Sequence, residues 1–388
     1  MGKIHAEEIP LKDLLVEEMG LDSIMGEHPR DIRISADMIS ADENQILMAL
    51  NSQATDTPYR RGPAWLCRVD LDQPRVAWKT QVSENHWGFP VKAAVGHDSV
   101  FVYPSYHDAG FLRRLNIADG RVIWEREIPS LSSVAALEDR VEVCLKTGVQ
   151  HLEVSDGRAI GSMPGLAHAS IHDSSNGRLT LSALEHKPEE GLFGSYIAST
   201  GKEWDWAHFF TGGNIDAAVN TPHYTIVSLH NREGCSLVFF GPDGNMMHSF
   251  PDNRAMGHLM WVKEPNTIED SYGYLLIAQD TRYDDGAMAL FALGRQGLEN
   301  QRWRTAIGKC HHSEAYFNLG QDHIVRLSYS GGSNSVLEWF GTRDGRMIGS
   351  YKPPETHHDS GRATIGDGCI FTWAYKPGIL KRLTPDWS

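Results

Sequence analysis

Histidine recurs at the boundaries between successive segments of similar sequence. It stands in ENHWGFP, LAHASI, MGHLMWV, KCHHSEA and THHDSGR, at nearly the same phase each time. Neutral imidazole is the commonest metal ligand among side chains and suits the divalent transition metals Mn, Fe, Zn and Cu. The pattern predicts a metal site in which the first-choice ligands are His258, His312 and His358. His86 and His168 would bind substrate or complete the coordination. The alternative for any one of these histidines is a hydrogen bond to the backbone of a neighbouring strand.

A second group of polar side chains lies in loops that the strand pattern places on the same face as the histidines. It consists of Tyr106, His107, Arg232, Arg282 and Tyr329. Arginine and tyrosine position charged groups, and histidine and tyrosine transfer protons. We therefore predict Arg232 and Arg282 as clamps for substrate, with His107, Tyr106 or Tyr329 as the base. The alternative is that these are ordinary polar loops.

The elements that must position these residues are repeated hairpins. The clearest is LRRLNIADGRVIWEREI, residues 112–128, in which Asp119-Gly120 joins two strand-like runs. An Asp-Gly pair between such runs is a strong hairpin signal, because the turn needs a positive φ. Similar units begin at Leu66, His151, Ser195, Leu237, Leu290 and Leu337, and a shortened copy begins at Ile379. A period of about 40 residues with several short strands per repeat predicts a β-propeller.

The sequence motif of the repeat is D-G-R-x-x-W in one copy and T-G-K-x-W in another. This motif resembles the quinoprotein-type (PQQ-like) propeller repeat. The resemblance implies that the tryptophan docks between neighbouring blades. That role would fall to Trp78, Trp124, Trp204 or Trp206, and Trp303. Three copies depart from the pattern by having Gly161, His248 and Gly349 near this position, so their blades must contact each other in another way.

We predict a single all-β domain, an eight-bladed propeller over residues 31–388, with seven blades as the alternative. Residues 1–30 form an N-terminal extension. In it, Leu11, Leu14, Leu15 and Met19 recur at helical spacing before Gly20, which predicts a short helix. The eighth repeat lacks its outer strand, and a propeller leaves no long open edge. The alternating segment of residues 3–7 is the predicted closing strand.

Composition limits the function further. The net charge of −14 argues against nucleic acid and anionic membrane as partners, because both need clustered Lys and Arg. The five cysteines are odd in number and imply no disulfide framework. The N-terminal segment is acidic, unlike a secretory signal, and no apolar run reaches the ~18 residues of a membrane helix. We therefore expect a cytoplasmic protein.

Two functions remain open from the sequence. The first is a metal-dependent lyase that acts on a small acidic sugar or a similar polar substrate. It would be similar in architecture to oligogalacturonate lyases and, more distantly, carotenoid oxygenases. Metal and arginine would neutralise a substrate carboxylate while a base removes the neighbouring proton. The alternative is a non-catalytic scaffold for protein partners. A quinone-dependent dehydrogenase is disfavoured because the sequence has no vicinal cysteine pair and no export signal.

Overall fold

The computed structural model describes most of the chain. The described residues are 2–25, 27–28, 31–42, 44–54, 61–83, 91–96, 98–104, 110–164, 166–187, 192–201, 204–231, 234–252, 256–263, 273–279, 287–294, 297–308, 313–320, 322–329, 335–353, 359–374 and 377–387. Within these ranges the chain forms 32 strands and two short helices. The strands make eight antiparallel four-stranded sheets, which are the blades of a β-propeller. The predicted fold class is confirmed, with eight blades rather than seven.

Blades 1, 2, 7 and 8 and the N-terminal segment belong to one compact unit. Blade 1 comprises β2 (Ile32–Ala41), β3 (Gln45–Ala54), β4 (Arg61–Asp70) and β5 (Arg75–Ser83). Blade 2 comprises β6 (Val91–Gly96), β7 (Ser99–Pro104), β8 (Phe111–Asn116) and β9 (Val122–Glu127). Blade 7 comprises β26 (Ser313–Leu319), β27 (His323–Tyr329), β28 (Ser335–Gly341) and β29 (Met347–Tyr351). Blade 8 comprises β30 (Asp359–Gly366), β31 (Cys369–Ala374), β32 (Ile379–Asp386) and β1 (Lys3–Pro10).

Blades 3 to 6 form the second compact unit, which also includes the turn at residues 341–346. Blade 3 comprises β10 (Leu131–Ala136), β11 (Arg140–Leu145), β12 (Gly148–Glu153) and β13 (Ala159–Pro164). Blade 4 comprises β14 (Ser170–Asp173), β15 (Arg178–Lys187), β16 (Leu192–Gly201) and β17 (Trp204–Thr211). Blade 5 comprises β18 (Gly213–Asn220), β19 (Thr225–Asn231), β20 (Gly234–Phe240) and β21 (Met246–Asp252). Blade 6 comprises β22 (Met256–Lys263), β23 (Gly273–Gln279), β24 (Ala287–Gly294) and β25 (Gly297–Ala306).

The strand order within a blade follows from the sequence of each strand. The second strand of blade 2, β7, reads SVFVYP and is buried along its whole length, as expected for a strand covered on both faces. The fourth, β9, reads VIWERE and is almost entirely exposed. First strands of successive blades pack on each other, for example β14 on β18 and β18 on β22. The first strand is therefore the innermost and the fourth is the outer edge.

The predicted closing strand is confirmed. β1 pairs antiparallel with β32, from Lys3 opposite Asp386 to Pro10 opposite Ile379. Arg382 Nε donates to Glu7 Oε2 at 2.8 Å across the pair. The pairing gives blade 8 its fourth strand, and it is longer than the segment of residues 3–7 that the sequence indicated.

The predicted helix is α1 (Lys12–Met19), and a second helix, α2 (Leu21–Met25), follows it. Gly20 ends α1 with φ of 58° and donates its N–H to the carbonyls of the last turn. Leu15 and Met19 are buried in a cluster that also contains Phe371. α1 contacts β5 and α2 contacts β4, so this apolar side packs on the outer part of blade 1.

The tryptophan of the repeat links neighbouring blades, as the resemblance implies. Trp78 on β5 donates its Nε1 proton to the carbonyl of Ile117, in the hairpin turn of blade 2, at 3.2 Å. Thr80 donates to the carbonyl of Gly120 in the same turn at 2.6 Å. Gly120 has φ of 69°, and a Cβ at this residue would overlap the Trp78 ring. The glycine therefore allows both the left-handed backbone of the turn and the close approach of the Trp78 ring.

The same contact recurs at the end of blade 6. Trp303 Nε1 donates to the carbonyl of Thr342 at 2.8 Å, and Thr305 Oγ1 donates to the carbonyl of Gly345 at 2.7 Å. Gly345 has φ of 66° and lies directly against the Trp303 ring.

A neighbouring residue decides between Trp204 and Trp206, and the contact shown for Trp124 is of another kind. In blade 4 it is Trp206 that lies against a turn glycine, Gly244. The side chain of Trp204 lies outside the described residues. Trp124 packs on Phe101 within its own blade, with ring centroids 6.0 Å apart.

Three blades have another residue in place of the repeat tryptophan. In two of them a different side chain makes the contact between neighbouring blades. His248 lies beside Gly297, in the turn of blade 6, where a tryptophan would otherwise stand. Gly349 of blade 7 leaves a space against which Trp387 and Ile4 pack, each 3.2 Å from the position of a Cβ. At Gly161 of blade 3, the side chain nearest to a Cβ is His151, which belongs to the same blade.

Removing residues 1–8 should lower Tm by several degrees, because β32 keeps β31 but loses most of its pairing with β1, and Ile4 is lost from the core of blades 7 and 8. Thermal unfolding followed by circular dichroism measures this. Lys3→Ala, on an exposed side chain of β1, is the control and should leave Tm unchanged. An unchanged Tm in the truncated protein would mean that the pairing contributes nothing to stability.

Gly345→Ala should destabilise the protein by more than Gly320→Ala. Both glycines have nearly the same φ, 66° and 65°, so the backbone strain of about 1–2 kcal/mol is shared. Only at residue 345 does the new methyl group also meet Trp303, whereas Gly320 has open space around it. Overpacking adds roughly 1–3 kcal/mol. Equal free energies of unfolding in urea for the two variants would show that the contact is not tight.

Candidate functional site

Most residues that the sequence predicts as functional lie outside the described part of the chain. These are His86, His312, His358, Tyr106, His107, Arg232 and Arg282. His258 lies in β22 and Tyr329 in β27, but their side chains are outside the description. His168 is described: it is exposed, with φ of 54°, and its backbone N–H donates to the Leu145 carbonyl at 3.2 Å.

Metal ligation by the histidines therefore stays a prediction. Among the described side chains, no three from His, Cys, Asp and Glu come together in an arrangement that could hold a metal ion. The substrate-binding roles of Arg232 and Arg282 and the proton-transfer roles of Tyr106, His107 and Tyr329 likewise stay predictions. The described residues also contain no helix long and apolar enough to span a membrane.

A cavity of about 370 Å³ lies among the first strands of blades 4, 5 and 6. One wall is polar and the other is apolar. The polar wall consists of His172 and Asp173 on β14 and Ser175 and Asn176 in the following turn. The apolar wall consists of Ala218 and Val219 on β18 and Leu259 and Met260 on β22. The cavity lies toward the end of β14 and β18 at which each first strand turns back into the second.

The polar wall is shaped by the sequence DSSNGR. Asn176 has φ of 53° and Gly177 has φ of 68°, so two successive left-handed residues form the tight turn between β14 and β15. Ser175 Oγ donates to Asp173 Oδ2 at 2.8 Å within this turn. Asn176 Nδ2 donates to the carbonyl of Asn220 on blade 5 at 2.8 Å. The turn is thereby fixed to the neighbouring blade.

Asn220 is the centre of a buried hydrogen-bond network behind this wall. Its backbone N–H donates to Asp173 Oδ2 at 2.6 Å. Its side-chain Oδ1 accepts from Thr180 Oγ1 at 2.7 Å and from Thr225 Oγ1 at 3.0 Å. The guanidinium of Arg178 donates to backbone carbonyls of the 221–224 turn. A buried network in which polar groups are partnered holds its members in one arrangement.

Burial sets the charges at the cavity. It lowers the pKa of His172 to about 4, so the imidazole is neutral at pH 7, and Nε2 lies 2.7 Å from Ser182 Oγ. Burial also raises the pKa of Asp173, and this is opposed by the hydrogen bonds from Asn220 and Ser175. Burial lowers the pKa of Arg178 to about 10, so the guanidinium stays charged at pH 7.

The sequence reasoning missed this cavity. It singled out His168, at the blade junction, and passed over His172, four residues further on the same segment. The available signal was a histidine and an aspartate at the end of a first strand, just before Ser-Ser-Asn-Gly. The apolar wall comes from β18 and β22, whose lining residues begin 45 and 86 positions after Asp173. No local sequence pattern relates these strands to blade 4.

A second cavity, of about 640 Å³, lies on blade 1 and carries Asp42, Asp70 and Asp72. Two of these carboxylates are paired with cations. Arg75 Nε lies 2.7 Å from Asp70 Oδ2, and Arg68 lies 3.4 Å from Asp42 Oδ2. We interpret this group as a solvated surface network.

Outer strands of three blades expose apolar side chains and carry little charge. β13 reads AIGSMP, β21 reads MMHSFPD and β29 reads MIGSY. Ile160 is 47% exposed, and Met246, Met247 and Met347 are exposed as well. These are the same three blades in which Gly161, His248 or Gly349 replaces the tryptophan of the repeat. The outer strand β9 also exposes Val122 and Ile123, but it differs from these three in carrying Glu125, Arg126 and Glu127.

No family model matches the chain, and no curated protein matches it in sequence. Solved structures match it along most of its length. BamB from Moraxella catarrhalis is 13% identical with a TM-score of 0.56, over 91% of this chain and 99% of BamB. The C-terminal WD40 domain of Sif2 is 12% identical with a TM-score of 0.60, over 91% and 96%. The dihydro-heme d1 dehydrogenase NirN is 10% identical with a TM-score of 0.51, over 92% and 75%.

The chain has the β-propeller fold. BamB is a propeller of PQQ-like repeats, so the resemblance seen in the repeat is supported at the level of the fold. Identities of 10–13% establish nothing beyond that.

The stability of the protein should fall as pH drops from about 6.5 to 4, in part because of His172. The folded pKa is about 4 against 6.5 in the unfolded chain, so the unfolded state binds the proton first. Stability is therefore fully present above pH 6.5, and about 2 kcal/mol is lost between pH 7 and 5. The raised pKa of Asp173 acts in the opposite sense, and Arg178 stays charged over this range.

Urea unfolding of the wild type and of His172→Gln at pH 5, 6 and 7 measures the His172 contribution. The variant should show the shallower dependence on pH. His223→Gln removes an exposed histidine and should keep the wild-type dependence. The same slope in His172→Gln and the wild type would contradict the assignment.

Proposed function

We propose that the protein is a non-catalytic propeller that binds protein partners, and that an extended segment of a partner adds to the outer edge of β13. The observation that carries the proposal is the combination of an exposed apolar outer strand and a missing tryptophan in blade 3. Such strand addition is a common mode of peptide recognition. The cytoplasmic location expected from the sequence is part of the proposal.

β13 has the properties of an edge that is open to pairing. A strand at a sheet edge presents unpaired backbone N–H and C=O groups, and proteins protect such edges with charged residues. β13 contains no charged residue, and residues 159–162 are all exposed. Within the described residues, β13 is the last strand of its sheet.

Blade 7 of this chain supplies a precedent for the occupant. There Gly349 replaces the repeat tryptophan, and Trp387 and Ile4 pack against the glycine. The backbone N–H of Gly2 donates to the carbonyl of Ile348 on β29 at 2.7 Å. Residues of blade 8 thus lie against the outer strand of blade 7, while β1 itself pairs with β32 and β29 stays the last strand of its own sheet. Blade 3 has the same substitution, at Gly161, and we infer that a partner supplies the corresponding group.

These features define the chemistry of the partner. It is an extended segment with apolar residues at alternate positions, one of them a large aromatic residue that lies against Gly161 as Trp387 lies against Gly349. Ile160 is the exposed apolar neighbour. The net charge of the protein is −14, so basic residues beside the apolar ones favour association.

The comparisons agree with a binding function without deciding it. A WD40 domain is among the similar solved structures, and so is a protein called a dehydrogenase. One fold can serve both classes, so the argument for binding comes from the edge of β13.

A random peptide display library selected on the purified protein tests the proposal. Enriched peptides should have alternating apolar residues, one aromatic residue and flanking Lys or Arg. Ile160→Lys should weaken their binding at least tenfold, which is about 1.4 kcal/mol, because it places a charge on the edge. Gly161→Trp should weaken it as well, by filling the place of the aromatic residue. Calorimetric titration measures both.

Leu184→Lys is the matched control. Leu184 is 66% exposed, more than Ile160, but it lies on β15, the second strand of blade 4. The exchange of an exposed apolar side chain for lysine is therefore the same, and only the edge differs. Peptides that bind Ile160→Lys and Leu184→Lys equally well, or a selection that enriches no such peptides, would overturn the proposal.

A further inference from the structure

The cavity among β14, β18 and β22 is separate from the edge of β13, because its lining comes from first strands rather than outer ones. Its volume of about 370 Å³ falls within the range of small-molecule sites, roughly 300–1,000 Å³.

The apolar wall favours a ligand with a hydrocarbon part. Ala218, Val219, Leu259 and Met260 offer no side-chain hydrogen-bonding groups to water. Water that lies against such a surface is displaced favourably by hydrocarbon. Leu259 and Met260 are only partly buried, so they remain open to contact.

The polar wall selects the charge of the ligand. Asp173 is the acidic residue of this wall, and the described residues that line the cavity include no Lys or Arg. His172 is neutral at pH 7, because burial lowers its pKa, and does not repel a cation. Arg178, which interacts electrostatically with Asp173, donates to the carbonyls of Thr221 and Tyr224. Among the described lining residues, an anion would meet the Asp173 carboxylate and no Lys or Arg side chain.

Asp173 keeps room for a further donor. The N–H of Asn220 and the hydroxyl of Ser175 both donate to Oδ2, and the backbone of Ser174 adds a third hydrogen bond. A carboxylate has about four lone-pair sites. The donors among the described residues therefore leave one lone-pair site for a further N–H donor, which can bind without breaking the network that holds the turn.

From this arrangement we propose that the cavity binds a small amphipathic amine. The ammonium group donates to Asp173, and the hydrocarbon part lies against Leu259 and Met260. A cation at this place also favours the ionised carboxylate, which burial disfavours. The proposal goes beyond partner binding at β13 and does not depend on it.

Hexylammonium is the probe, with hexanoate and hexan-1-ol as ligands of equal chain length and different charge. Ligand-observed NMR and calorimetric titration at pH 7 should give saturable hexylammonium binding with Kd at or below roughly 1 mM. Hexanoate should bind at least tenfold more weakly. Absence of saturable hexylammonium binding, or equal binding of hexan-1-ol, would overturn the proposal of an amine site.

Asp173→Asn tests the carboxylate while keeping an oxygen that can accept from Asn220. It should weaken hexylammonium binding at least tenfold. Asp156→Asn is the control, because it removes one exposed carboxylate on blade 3 with the same change of charge. Met260→Trp fills the cavity without touching the hydrogen-bond network, and should abolish binding even if Asp173→Asn folds poorly. Unchanged binding in Met260→Trp would place the amine elsewhere and refute the proposal.

The two proposals fail separately. Ile160→Lys should bind hexylammonium like the wild type, and Met260→Trp should bind the selected peptides like the wild type. Loss of hexylammonium binding in Ile160→Lys would refute the placement of the amine at this cavity.

Discussion

The contact between an outer-strand tryptophan and a glycine in the next blade is a physical constraint that recurs at three blade junctions. Each hairpin turn needs a residue with positive φ, and the tryptophan of the preceding blade needs a place without a side chain. One glycine meets both needs at Gly120, Gly244 and Gly345. The contact joins residues about 40 positions apart, so it fixes the spacing of the repeats as well as the packing of the blades.

This constraint explains why the fold could be predicted from the sequence. Asp-Gly turns and the tryptophans that dock on them recur in phase, and eight hairpins in phase mean eight blades. The closing strand followed from a missing outer strand in the last repeat. The role of Trp387 at Gly349 was not predicted, because here the glycine lies on the outer strand and the aromatic side chain comes from the blade that follows, which reverses the arrangement of the repeat. The second helix, α2, has only five residues and no periodic signal.

The candidate site was less predictable, for a physical reason. Periodicity identifies which residues begin a first strand, and this led to the histidines at the blade junctions. It does not show which side chains from different blades meet. His172 and Asp173 gain their properties from burial beside Asn220 and from a wall that β18 and β22 provide. The pKa shifts are consequences of packing and have no counterpart in the local sequence.

The cavity itself follows from unequal strand lengths in one repeat pattern. β14 has four residues, whereas the neighbouring first strands β18 and β22 have eight each. The short β14 leaves space beside β18, and Leu259 and Met260 on β22, beyond β18, stay only partly buried. The same shortening brings Asp173 to the end of its strand, where the Ser-Ser-Asn-Gly turn and Asn220 supply its donors. A divergence in one repeat thus creates the apolar wall and the buried carboxylate together.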